Sequence, residues 1–450
     1  MKKTYDLIVV GAGPAGLMAA KTAGENGLDV ALIERKEAIP DISRACSMML
    51  VTLTGKYLDN RILLNTREKL LCFPGYGFSI PYTGAHQDFY AWSIYSHKGN
   101  KIQLGDYQKN ARLGEQGRVS AVYDKGALLA GLLDEARKNH VDVFSGYNVI
   151  ASQTDNGKVK VFTSEGSSFT GTFVIGADGR SSRLAKHLGL NKTRKFYGTN
   201  ISFGYEMTGV EPPDKYELFQ LFVDNDPPLR VWMTPRAKGD NKYFAFVCGP
   251  HPEVDLQAAF NDFLTKGHFA PWFRHVEKTR ALSAIGSMYS HIEDPYKDQV
   301  ILVSDAVWCQ EAEMTGAVIS GWKAANAVTC ALTEGIISRE GVSDYLTWWR
   351  DEVINKLDHE DMMRNIVMPY RLTPDEIDFL LGSITRTLKG ILDPYETPQI
   401  VGEAMAEIMP LVKSDRPDIF NKMIAMRAEP LDLVFRNCTR SGFPTTMRAG

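Results

Sequence analysis

The chain has 450 residues, with 51 Lys and Arg against 54 Asp and Glu and a formal net charge of −3. That balance carries no basic footprint for nucleic acid. No apolar run approaches the ~18 residues needed to cross a bilayer, so membrane contact is expected to be peripheral at most.

The start Met1-Lys2-Lys3 lacks the cleavage site of a signal peptide, and a cytoplasmic protein is expected. Six scattered cysteines without a C-x-x-C pair, and nine histidines without H-x-H or H-x-x-x-H spacing, predict reduced thiols and no metal site. The length suits two or three domains.

The first predicted elements form a strand–helix–strand unit. Tyr5-Asp6-Leu7-Ile8-Val9-Val10 runs into Gly11-Ala12-Gly13-Pro14-Ala15-Gly16, and the next apolar run, Val30 to Ile33, closes on Glu34. A buried parallel strand reads as a short continuous apolar run, and the glycines allow a tight turn and close approach of backbone to pyrophosphate. The helix over residues 14–26 points free N–H groups at the phosphates. Glu34 stands where a carboxylate accepts hydrogen bonds from ribose hydroxyls. These offsets predict a dinucleotide site.

Farther along, leucines at 128, 129, 132 and 133 predict a helix over 125–139, and residues 159–169 a small meander. A second buried strand ends in Gly176-Ala177-Asp178-Gly179-Arg180, with a helix over 183–188. Residues 216–249 alternate as three strands expected to roof the reacting face of the cofactor. A third buried strand, Val300 to Val303, ends in Ser304-Asp305-Ala306, and a helix carries Ser320-Gly321-Trp322-Lys323-Ala324-Ala325. From Gly341 the pattern is helical and Met-rich.

This order of segments resembles the geranylgeranyl reductase family of FAD-dependent oxidoreductases, which share the FAD fold of the para-hydroxybenzoate hydroxylase type. The supporting motifs are the opening glycine unit, Ile33-Glu34-Arg35-Lys36, an Arg and a Cys soon after it, Gly-Ala-Asp-Gly, and Trp232-Met233-Thr234-Pro235. The resemblance implies a Rossmann-like α/β FAD-binding domain with an inserted antiparallel β-sheet substrate domain and a C-terminal helical region. FAD is the implied cofactor. Asp305 would hold its ribityl chain or ribose, Asp178 and Gly179 would support the pyrophosphate side, and Arg35 and Arg44 would complete the cofactor set with Gly11, Gly13, Pro14, Ala15, Gly16 and Glu34.

The chain departs from the family at several points. Ser304 replaces the usual glycine before Asp305. The flavin-facing loop, normally a proline and a run of glycines, is Glu311-Ala312-Glu313-Met314-Thr315-Gly316-Ala317-Val318. Gly316, Ala317 and Val318 are its candidate flavin contacts. No arginine occurs at 122–124, and Ala45 separates Arg44 from Cys46.

The domain reading is 1–70, 110–195 and 285–340 for FAD, 71–109 and 196–284 for substrate, and 341–450 as the helical region. Aromatics at 73–95 either pack between domains or line a cavity for an apolar or aromatic small molecule. Cys46, Trp308, Cys309, Glu311 and Glu313 are the candidate catalytic residues.

The chemistry expected is hydride transfer to or from a carbon–carbon bond through flavin N5. The alternatives are a single-component aromatic hydroxylase using NAD(P)H and oxygen, and a flavin-carrying electron-transfer protein. With a single glycine-rich unit, electrons are expected from a visiting NAD(P)H or a ferredoxin-like protein. The oligomeric state stays open.

Overall fold

The computed structural model describes residues 4–239, 241–309 and 311–438. Its central sheet is built on four neighbouring parallel pairings. Asp142–Ser145 lies beside Val30–Glu34, then come Thr4–Val10, Ser168–Gly176 and Val300–Leu302. The run 7–10 and the strands at 30–34 and 300–302 are buried, as an apolar strand covered on both faces requires. The predicted meander attaches to the same sheet, with Lys158–Thr163 antiparallel to the start of Ser168–Gly176 and Val149–Asp155 antiparallel to Lys158–Thr163.

Register brings the carboxyl ends of these strands together. The Gly11 N–H donates to the Ile33 carbonyl, that of Ala177 to Val10, and that of Val303 to Gly176. Gly11, Glu34, Asp178 and Asp305 therefore share one edge of the sheet, the edge at which open α/β sheets bind ligands.

Three helices cover the sheet: Pro14–Glu25, Lys125–Lys138 and Glu313–Glu334. The first and last cross closely at Gly321, where a Cβ would stand 2.1 Å from the Ala15 carbonyl oxygen. Only glycine allows that crossing. The helix at 313–334 begins earlier than expected: the segment foreseen as a loop to residue 318 is already helical from 313, so Gly316, Ala317 and Val318 lie in its first turns. With no proline or glycine run at 312–315, nothing breaks helical hydrogen bonding there, and the Gly316 N–H donates to the Ala312 carbonyl.

A second, seven-stranded sheet runs in the order Glu277–Tyr289, Phe196–Thr208, Tyr243–Gly249, Leu229–Pro235, Glu217–Val223, Ala91–Tyr95 and Lys101–Leu104. Strand alternation gives it two faces. Phe219, Leu221, Val231, Met233 and Val247 pack outward against Phe260 and Phe263 of the Leu256–Thr265 helix. Gln220, Arg230, Trp232, Phe246 and Cys248 point the other way, into a cavity. Beyond it lie the C-terminal helices, among them His359–Val367, Pro374–Ser383, Glu396–Asp415 and Pro417–Ala428. The Pro374–Ser383 helix starts at a capping box, with Thr373 and Glu376 exchanging hydrogen bonds. No helix among the described residues is long and apolar enough to cross a membrane.

Candidate active site

The glycine turn is shaped by one backbone conformation and one open face. Gly11 has φ +97°, and a Cβ there would fall 2.4 Å from the Ala177 carbonyl oxygen. Gly13 faces open space. Behind the turn, the buried Glu34 carboxylate accepts from the Ala12 N–H at 2.7 Å and the Lys36 N–H at 2.9 Å. Arg35 is exposed. Asp178 accepts from the Arg183 N–H at 2.8 Å at the start of the short Arg183–His187 helix, which Ser182 caps, while its Oδ1 is buried without a hydrogen-bond partner. Burial raises its pKa. Gly179, at φ +79°, leaves open space beside it.

The cavity, about 1000 Å³, starts at this strand edge and continues between the second sheet and the C-terminal helices. Of the residues singled out from sequence, Pro14, Arg44, Cys46, Asp305, Glu311, Glu313 and Ala317 line it. Asp305 accepts from the Ala312 N–H at 3.0 Å, and Arg44 Nη2 lies 3.8 Å from its other oxygen. Arg180 Nη2 pairs with Glu311 at 2.8 Å. Lys125 Nζ stands 3.9 Å from Cys46 Sγ.

Two of these carboxyls are driven apart. Burial acts first on both. At Glu311, which faces the cavity while protein surrounds it, the cations Arg180, Arg44 and Lys125 overcome burial and lower the pKa. Glu313 is pushed up to about 8 by burial, then by the charges of Glu311 and Asp305. Its backbone is also unusual, with φ +55° at the helix start, a left-handed conformation that costs a non-glycine residue roughly 1–2 kcal/mol. The same holds at Ser304, φ +58°.

Trp308 and Cys309 sit behind the cavity wall, fully buried. Trp308 Nε1 meets the Tyr395 hydroxyl at 3.4 Å and its ring meets Trp349 edge-on. Cys309 Sγ lies 3.4 Å from His359 Nδ1. Of the aromatics at 73–95, Trp92 lines the cavity, paired with Trp232 at 5.5 Å. Phe73, Tyr82 and Phe89 are buried in the core.

Sequence reasoning passed over Lys125, Arg180 and Arg230. The signal for Arg180 was present, directly after Gly-Ala-Asp-Gly. Lys125 and Arg230 had none, since only the fold carries them to the cavity.

The FAD binding domain family matches residues 4–307. The chain belongs to this family. It is an FAD-dependent oxidoreductase and has the para-hydroxybenzoate hydroxylase type of fold expected from its motifs. The digeranylgeranylglycerophospholipid reductase of Methanosarcina mazei is 26% identical over 399 residues, 85% of this chain and 89% of that protein. A second such reductase, from Methanococcoides burtonii, is 25% identical over 403 residues, again 85% and 89%. Together these matches support the geranylgeranyl reductase family read from the sequence.

Among solved structures, a geranylgeranyl bacteriochlorophyll reductase-like protein from Thermoplasma acidophilum superposes with TM-score 0.68 at 18% identity, covering 95% of this chain and 100% of that one. The p-nitrophenol 4-monooxygenase of Pseudomonas putida gives 0.59 at 13% identity, covering 97% and 99%. These two likenesses show a shared fold.

The residues fit FAD. The open face of Gly13, the positively charged end of the Pro14–Glu25 helix and the buried Glu34 form a cradle for a pyrophosphate and its adenosine ribose. Arg44 and Asp305 stand where the cavity begins, one cation and one acceptor for the flavin half.

Proposed function

We propose that this flavoenzyme reduces carbon–carbon double bonds in a long apolar chain of polyprenyl character. The observation that carries the reading is the cavity. It is continuous with the cofactor edge and lined on its far side by Met362, Ile366, Leu381, Val401, Met405 and Met409, a surface of flexible aliphatic side chains suited to a branched chain. The archaeal relatives are reductases of prenylated lipids by name, which supports the same choice.

When bound, FAD supplies a hydride from N5. The protein does the rest. The aliphatic walls exclude water and align the chain, with Trp92 and Trp232 fixing its position near the reacting end. Reduction of a double bond needs a proton as well as a hydride, and Glu313 holds one at neutral pH on an Oε that faces the cavity. With Glu313 neutral, Arg44, Arg180 and Lys125 outweigh Asp305 and Glu311, a surplus of positive charge that favours a bound ring carrying negative charge. Electrons come from a redox partner, for which a visiting NAD(P)H or a ferredoxin-like protein is proposed.

The test is anaerobic incubation of the dithionite-reduced, FAD-loaded protein with geranylgeraniol. Flavin reoxidation with a product two hydrogens heavier is expected. A product gaining an oxygen atom, and only in air, would establish the hydroxylase alternative. Reoxidation only by a protein partner would establish the electron carrier.

A further inference from the structure

Arg230 lies at the centre of the second sheet, between Phe222 and Cys248 on the neighbouring strands, and lines the cavity while only 6% exposed. Its guanidinium is clamped from the C-terminal region: Nε donates to the Tyr370 hydroxyl at 2.8 Å, Nη2 to the Ile366 carbonyl at 3.1 Å, and the Tyr370 ring stacks at 4.3 Å. No carboxylate among the described residues forms an ion pair with it, whereas the similarly buried Arg236 and the half-buried Arg118 each have one. Those clamps are neutral. A neutral donor could satisfy the same acceptors, and a buried cation without a counter-ion is strongly disfavoured.

We propose that Arg230 receives the carboxylate of the substrate, so that the molecule taken up is an apolar-chain acid. This rests on the reading of the cavity as a site for an apolar chain. Two facts select a carboxylate. With Nε and Nη2 committed, the free edge of the guanidinium suits one singly charged acceptor better than a phosphate dianion. Phe222, Trp232, Phe246 and Met368 line the same cavity, and its lining cation Arg427 is already paired with Asp361 at 2.8 Å. The position also sets a length. Arg230 is four residues from Thr234, whose hydroxyl faces the Ser47 carbonyl in the Arg44–Ser47 loop at the flavin end, a separation of roughly 13 Å along an extended strand. A double bond reduced at that end lies about that far from the carboxylate.

The experiment titrates FAD-loaded protein with dodecanoate, dodecanol and dodecyl phosphate, below their aggregation limits, reading tryptophan fluorescence and the flavin spectrum. Dodecanoate is expected to bind about tenfold to a hundredfold more tightly than dodecanol. Arg230→Met should remove that preference, bringing the acid and the alcohol to equal affinity, and Arg230→Lys should restore part of it. Equal binding of acid and alcohol by the wild-type protein overturns the inference, with no appeal to a variant that might misfold. Tighter binding of the phosphate overturns the carboxylate assignment. Binding of none of the three overturns the apolar-chain reading itself, and the inference with it.

Discussion

Arg236 Nη1 donates to the main-chain carbonyl of Cys46 at 3.1 Å, tying the second sheet to the loop that carries Arg44. The same guanidinium pairs with Glu206 at 3.1 Å and lies over the Phe244 ring. Three further bonds hold the loop: the Ala45 N–H to the Ser283 carbonyl, the Thr234 hydroxyl to the Ser47 carbonyl, and Arg280 to the Ile42 carbonyl. The loop is thus positioned by the second sheet rather than by the strand edge that it follows in sequence.

Arg236→Met should therefore loosen Arg44 as well as strand Glu206 in a half-buried site. We expect a stability loss of about 3 kcal/mol, tempered by Lys242 at 3.6 Å from Glu206, together with weaker FAD retention. Thermal melts of the flavin-free protein and flavin retention on gel filtration separate the two effects. Unchanged retention would show that the loop does not need its strap.

Cofactor binding itself should fail in Gly11→Val, whose side chain meets the Ala177 carbonyl and whose φ is left-handed, and in Asp305→Ala, which removes the acceptor for the Ala312 N–H. Colourless, folded protein is the expected result in each. A yellow preparation of either variant would contradict the cofactor map.

At Ser304 and Glu313 the backbone is strained, and glycine should relieve it. Ser304→Gly is expected to raise stability by up to about 1 kcal/mol and to keep FAD. Glu313→Gly should be equally well folded yet lose most turnover, because the proposed proton donor has gone. A Glu313→Gly enzyme as active as wild type would remove Glu313 from the mechanism.

Glu313 also predicts a pH profile. With its pKa raised to about 8 by burial and by neighbouring acids, it is protonated at neutral pH, so kcat/KM should hold steady below pH 7 and fall as pH rises through about 8. Glu313→Gln, which carries no transferable proton, should be slow at every pH and lack that limb. A wild-type profile flat to pH 9.5 would count against proton donation.

Glu217 affects stability rather than catalysis. It is fully buried in the second sheet, with Gln103 Nε2 at 3.3 Å, and burial pushes its pKa up to about 7. A folded-state pKa above the unfolded value means that stability is complete below about pH 4.5 and is lost as pH rises to about 7. Glu217→Gln should therefore stabilise the protein at pH 8, by on the order of 2 kcal/mol, and have far less effect at pH 5. Denaturant titrations at the two pH values provide the check.

The cofactor half of the protein is written into its sequence. A nucleotide strand edge is a local device: apolar runs of the right length, glycines at fixed offsets and a closing acid specify it through steric and hydrogen-bonding rules that act within a few residues. Gly11, Glu34 and Asp305 are therefore legible in the chain itself, as are the alternating strands of the second sheet. The charged end of the cavity exists only in the folded molecule. Arg44, Lys125, Arg180, Glu311 and Glu313 come from distant segments, and their charges become interdependent only when one cavity gathers them away from water, where their mutual fields are strong. Folding also places Trp308 and Cys309 behind the wall, and sets Arg230 within an apolar chamber whose far side belongs to helices more than 130 residues away.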